Sequence, residues 1–201
     1  MREQTSSARV PVLAHLRDGT RDLHAAAEST MVHLDSTVDE TGYRRFLERW
    51  YGFHVVLEPR LSAWHRREAL LDWDRRRKLP LLESDLGTLG LDHQARLGLP
   101  RCRCVPAVPA TAEALGALYV VEGSTLGGRV LRDRLCDAPL PPGCFRFLSS
   151  YGAETGRRWH GYRATTVAWV GDDGARADAV LCAARAAFTA LLAWQTLELT
   201  S

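Results

Sequence analysis

The sequence predicts an all-α fold, seven or eight helices packed as an irregular bundle in a single domain spanning residues 1–201. Three observations predict it. Apolar residues recur at spacings of three and four along most of the chain, the period that lays one stripe along one helix face. No stretch alternates apolar and polar residues as a half-buried strand does, and no internal repeat or low-complexity tract intervenes. Capping residues and proline or glycine breakers fall between the periodic stretches.

In chain order, residues 1–8 are expected to form a flexible N-terminus. From residue 10 to about 30, Leu13, Leu16, Thr20, Leu23 and Ala27 define a first helix. Pro11 sits in its first turn, where a missing N–H leaves no hydrogen bond unmade. Asp18-Gly19 lies inside the pattern and is expected to loosen or bend it. The second helix opens with a capping box from Thr37 to Glu40. Its stripe is Tyr43, Leu47, Trp50, His54, Leu57, Leu61 and Trp64, with a kink expected at Pro59. Residues 79–97 read as short helices with turns near Gly87 and Gly90, followed by the proline-rich connector "LPRCRCVPAVPA". Thr111 is expected to cap a glycine-bearing helix that runs to about Cys136, where "DAPLPPG" breaks the chain. Helical pieces cover 144–151 and 153–170. Asp172 or Asp173 caps a last helix whose face carries Ala177, Leu181, Ala184, Phe188, Leu191 and Gln195.

Composition narrows the function. A formal net charge of +2 gives nucleic-acid binding no global electrostatic support. No apolar run approaches the ~20 residues of a membrane span, and the N-terminus lacks the apolar core of a secretion signal. A cytoplasmic protein is the expectation. Five cysteines, an odd number without framework spacing, suit reduced thiols. Cys102 and Cys104 form a close pair, but no neighbouring Cys or His completes a zinc site. Lys78 is the only lysine, so any anion site must rely on arginine.

Two constellations carry chemistry. Arg17, Arg21, His24 and Glu28, spaced four, three and four, share one face of the first helix beside its apolar stripe. A carboxylate one turn beyond a histidine can accept its Nδ1 proton and leave Nε2 free for a metal. A solvated face of Arg–Glu pairs has the same spacing. The second constellation is "LGALYVVEGSTLGGRVL", residues 115–131, in which Gly116, Gly123 and Gly127 form a bare stripe widened by Gly128. Each glycine weakens a helix by roughly 1 kcal/mol relative to alanine. Such a stripe serves close helix packing, or it clears a surface for a flat ligand, with Ser124 and Thr125 beside it. A haem held between the two helices satisfies both constellations, with iron on His24, glycines on the open face and propionates near arginine.

These stretches resemble a known family. "LRDGTRDLHAAAES" is similar to the haem-ligand helix of haem oxygenases, and "LYVVEGSTLGGRVL" resembles their distal helix in its bacterial form. "RRWHGYR" and "ARAAFTALLAW" match less closely. The resemblance implies the haem oxygenase fold, with haem b between a proximal N-terminal helix and a glycine-rich distal helix. It makes His24 the axial iron ligand and Glu28 its hydrogen-bonded partner. Gly123, Ser124 and Gly127 become the catalytic distal residues, with Gly128 continuing the run. Arg17, Arg21, Tyr119 and Arg163 fall on the propionate side, and Phe188 contacts the haem. Ser124 stands where animal members carry an aspartate that organises water.

The implied reaction is oxidative cleavage of haem to biliverdin, carbon monoxide and ferrous iron, with O2 as co-substrate. The implied partners are an electron donor such as a ferredoxin or flavoprotein reductase, and a biliverdin-using phytochrome. A non-catalytic haem carrier or sensor on the same fold is the alternative. A haem-free enzyme with a cysteine nucleophile would need an acid–base neighbour that neither Cys136 nor Cys182 has in sequence.

Overall fold

The first periodic stretch folds as two helices. In the computed structural model, which describes residues 11–31 and 34–197, α1 (Val12–Gly19) ends where α2 (Arg21–Thr30) begins. The expected flexible segment 1–8 lies outside the described residues. The bend expected at Asp18-Gly19 is realised at Thr20. Its buried hydroxyl donates to the Leu16 carbonyl (2.7 Å) while its own carbonyl accepts from the His24 N–H (3.0 Å). Gly19 has a packing reason as well: a Cβ there would lie 2.7 Å from the Leu181 methyls of the last helix.

After α3 (Glu40–Glu68) come a 3-10 turn at Trp73–Arg75, α4 (Leu79–Thr88) and α5 (His93–Leu97). The glycine helix is α6 (Thr111–Arg134). Then follow α7 (Arg146–Ser149), a 3-10 turn at Gly152–Glu154, α8 (Thr155–Val170) and α9 (Gly174–Thr196). No strand occurs among the described residues, so the fold is all-α. The apolar stripe of α3 is buried from Tyr43 to Trp64, and the helix runs through Pro59.

Two caps differ from expectation. Asp39 caps α3, its carboxylate accepting from the Gly42 N–H (2.7 Å), while Thr37 turns back to Asp35 (2.6 Å). Aspartate outcompetes the Thr37–Glu40 box because it is already placed one residue before the first helical turn. Thr111 is the first helical residue of α6, not its cap, and its Oγ1 accepts from Trp64 Nε1 (3.2 Å). Asp173 caps α9 as expected, accepting from the Arg176 N–H (3.1 Å).

Helix α6 is the axis of the molecule. Its first half is buried on every side, from Ala114 to Glu122, and it packs most extensively on α9. A Cβ at Gly116 would sit 2.5 Å from the backbone N of Ala184, so here two helix backbones touch. Helix α9 is long and apolar enough to cross a membrane by length and composition, with a mean hydropathy of 1.4. Its buried face packs on α6, α1 and α2, as a core helix does. Its near end positions Phe188, Leu191 and Gln195 beside α2, and the second half of α6 leaves the core there.

Candidate functional site

The second half of α6 faces α2 across a cavity of about 310 Å3. His24, Glu28 and Met31 line it from α2, Gly123 to Gly128 from α6, Phe46 and Trp50 from α3, and Phe188 from α9. The walls are mostly apolar, as ligand cavities usually are. A second, more open space of about 520 Å3 shares Glu28, Met31, Gly127 and Leu131 with it and carries Arg134.

The glycine question resolves residue by residue. Gly127 has nothing within 4 Å of a built Cβ, and Gly123 only a Trp159 ring carbon at 4.0 Å. Both look into open space. Gly128 behaves like Gly116, since its Cβ would lie 2.9 Å from the Leu148 carbonyl oxygen. Two glycines therefore serve packing, and two clear the cavity wall.

His24 is half-buried, its ring edge-on to Phe188 (4.6 Å between centroids) and to Tyr119 (5.9 Å). Burial pushes its pKa down and the Glu28 charge pushes it back up, with burial the larger effect. The neutral imidazole is thus favoured, the form that offers a lone pair to a metal. Nε2 lies 3.5 Å from the Tyr119 hydroxyl. The hydrogen bond expected from His24 to Glu28 is not made. The spacing permits it, but the ring is set by Phe188 and Tyr119, and Glu28 is exposed.

Ser124 lines the cavity, yet its hydroxyl donates to the Val121 carbonyl (2.8 Å), a back-bond within the helix. Its oxygen keeps acceptor capacity only. Arg17 and Arg21 are surface cations tied to Asp18 (3.2 and 2.7 Å) and do not line the cavity. Arg163 is exposed on α8 and is likewise absent from the lining.

Sequence reasoning missed a polar cluster behind the cavity. Lys78 lines it with a side chain 1% exposed. The ammonium donates to the Arg76 carbonyl (3.1 Å) and stands over the Tyr151 ring (3.5 Å to the centroid). Burial drives its pKa down to about 8, against the charges of Glu122 and Glu58. Glu122, fully buried on α6, accepts from Arg76 Nη1 (2.8 Å) and from the Tyr151 hydroxyl (2.7 Å). Asp72 pairs with Arg76 (2.8 Å) and with Arg158. Glu58 accepts the backbone N–H groups of Lys78 and Leu79 (both 2.7 Å) and lies 3.2 Å from His54 Nδ1. His54 is thereby a core residue, as its place on the α3 stripe implies. Two signals in the sequence pointed here: a lone lysine among arginines, and a glutamate that follows an apolar helical run and directly precedes Gly123.

The cavity fits a flat, largely apolar ring bearing a metal. It offers one imidazole, two bare glycine positions and the ring of Trp50. Fold and site together define an all-helical protein whose α2 and glycine-bearing α6 enclose a mostly apolar cavity with a histidine on its wall.

Comparison with known proteins narrows that class. Residues 10–195 match the family profile described as Heme oxygenase. A heme oxygenase from Xanthomonas campestris pv. campestris (strain 8004) is 33% identical over 147 residues, covering 71% of this chain and 82% of the relative. The fold resembles the heme oxygenase of Neisseria meningitidis, solved with NO and CO bound (TM-score 0.75, 18% identity, 96% of each chain). It also resembles that of Leptospira interrogans (TM-score 0.69, 18% identity, 92% of this chain and 98% of that one). The chain belongs to the heme oxygenase family. It is an enzyme that cleaves haem to biliverdin, carbon monoxide and iron.

Proposed function

We propose that haem b binds in the cavity between α2 and α6, where His24 would hold its iron, with O2 as co-substrate. One observation carries this placement: Gly123 and Gly127 line the same cavity as His24, and the space where their side chains would stand is open. When bound, haem supplies the redox-active iron and is itself the ring that is opened.

The chain's own residues do the rest. His24, kept neutral by burial, offers a lone pair without the electron push of a thiolate. Phe188 and Tyr119 fix its ring plane. Gly123 and Gly127 bring helix backbone to the α6 wall of the cavity, where it would restrict where a small co-substrate can point. No distal histidine or arginine stands on this stretch as a general acid. Ser124 accepts a hydrogen bond from water there, and Lys78 is the buried cation nearest to hand on the cavity wall. Phe46, Trp50 and Phe147 keep bulk water out. Tyr119 stands behind His24, whereas Arg17, Arg21 and Arg163 do not line the cavity and have no part in holding the propionates in this reading.

The electrons come from a ferredoxin or flavoprotein reductase, and the biliverdin passes to a phytochrome-type acceptor. The donor follows from the reaction's need for external electrons, and the phytochrome acceptor from the likeness of the distal motif to its bacterial form. The cytoplasm is the proposed location, in keeping with five thiols of which none is bonded to another. Reconstitution with haem, a reductant and air tests the proposal. We expect the Soret band to fall while biliverdin absorption and carbon monoxide rise. A Gly127→Val chain should bind haem but lose turnover, and undiminished turnover in that variant would remove the glycines from the site.

A further inference from the structure

The connector between α5 and α6 holds a second chemical feature that haem cleavage does not use. Residues 103–104 form a turn that brings Cys102 Sγ to 3.4 Å from Cys104 Sγ. Both thiols reach the Ala190 carbonyl of α9, at 4.0 and 3.6 Å. The segment is clamped on the other side by α3, where the Cys102 N–H donates to the Gly52 carbonyl (2.9 Å). A Cβ at Gly52 would meet the Pro100 oxygen at 2.5 Å, so this glycine lets the connector lie directly on α3. Cys102 is fully buried and Cys104 is exposed. Among the described residues no third or fourth ligand makes a metal site of them.

We propose that Cys102 and Cys104 form a reversible disulfide site oxidised by hydrogen peroxide. Such an oxidant arises beside this enzyme, because iron released in the ferrous state reduces oxygen to peroxide. The exposed Cys104 is the attacking group, since burial holds the Cys102 thiol up at about 12. The Cys104 thiolate attacks one peroxide oxygen and the O–O bond breaks. Sulfur is oxidised to the sulfenic acid, and the departing hydroxide takes a proton to become water. Cys102 sulfur then displaces hydroxide from the Cys104 sulfenic acid, and that hydroxide leaves with the Cys102 thiol proton as a second water. Two thiols and one peroxide thus give one disulfide and two waters. The sulfurs need to close by only about 1.4 Å to reach the ~2.05 Å of a disulfide.

The test uses the full chain without added haem, so that iron does not consume the oxidant. The chain is treated with hydrogen peroxide, denatured, labelled with N-ethylmaleimide and digested with trypsin. Cleavage after Arg101 and Arg103 separates the two cysteines. A disulfide therefore appears as the Cys102-Arg103 dipeptide joined to the peptide that begins at Cys104. We expect that joined species, loss of maleimide from both cysteines, and restoration of both labels by dithiothreitol. Cys102→Ser should instead accumulate a dimedone adduct at Cys104, and Cys104→Ser, changed at an exposed site, should give neither product. Cys104 trapped by dimedone in the unaltered chain, advanced to the sulfinic acid, or bonded to Cys136 or Cys182 would overturn the proposal.

Discussion

Lys78 holds an ammonium where burial opposes it. Its pKa of about 8 in the folded chain compares with 10.5 for a free lysine. Between those values the folded chain has released the proton while the unfolded chain still binds it. The unfolded state then carries more protons, so stability rises with pH across the window. We expect the stability difference between the unaltered chain and Lys78→Met to shift in favour of the unaltered chain by about 1–3 kcal/mol from pH 8 to 10. Urea unfolding of both chains at the two pH values measures it, and a difference that is flat with pH would show that the lysine is not buried. The neighbouring Glu122 matters for its charge. Glu122→Gln leaves Arg76 buried without its main anionic partner, a loss of about 3 kcal/mol in the same experiment.

At the scale of the element, α6 does two jobs with one residue type. Gly127→Ala places a methyl in open space, so it should raise stability by up to about 1 kcal/mol through helix propensity. Gly116→Ala drives a methyl into the α9 backbone and should lower stability by about 1–3 kcal/mol. Thermal melts of the two variants should move in opposite directions; movement in the same direction would refute the division between packing and cavity glycines. The bare stripe was legible from spacing alone. Which glycine meets a neighbour was not, because that depends on the register of α6 against α9, a contact between residues far apart in sequence. Capping shows the same limit at closer range. Thr37 and Asp39 both suit the start of α3, and only the path of the preceding turn selects Asp39. Asp39→Ala should cost about 1 kcal/mol in an unfolding titration, and Thr37→Ala less.

Across the whole molecule, the all-α class, the α3 stripe and the pairing of His24 with Gly123 and Gly127 could be read from periodicity and motif. The polar cluster could not. Asp72 and Lys78 from the segment before α4, Glu122 from α6 and Tyr151 from just after α7 meet only when these elements are assembled. Its charges lie behind an apolar cavity whose mouth carries few of its own, and the expected propionate arginines stand outside the lining. The proposed site depends above all on His24 holding the haem iron in the cavity that the glycines line. Absorption spectra of the haem-loaded chain, oxidised and then reduced, compared with those of His24→Ala, test it most directly. We expect a histidine-ligated spectrum in the unaltered chain, its loss in His24→Ala with the helical circular dichroism intact, and its return when imidazole is added. A His24→Ala spectrum identical to that of the unaltered chain would contradict it.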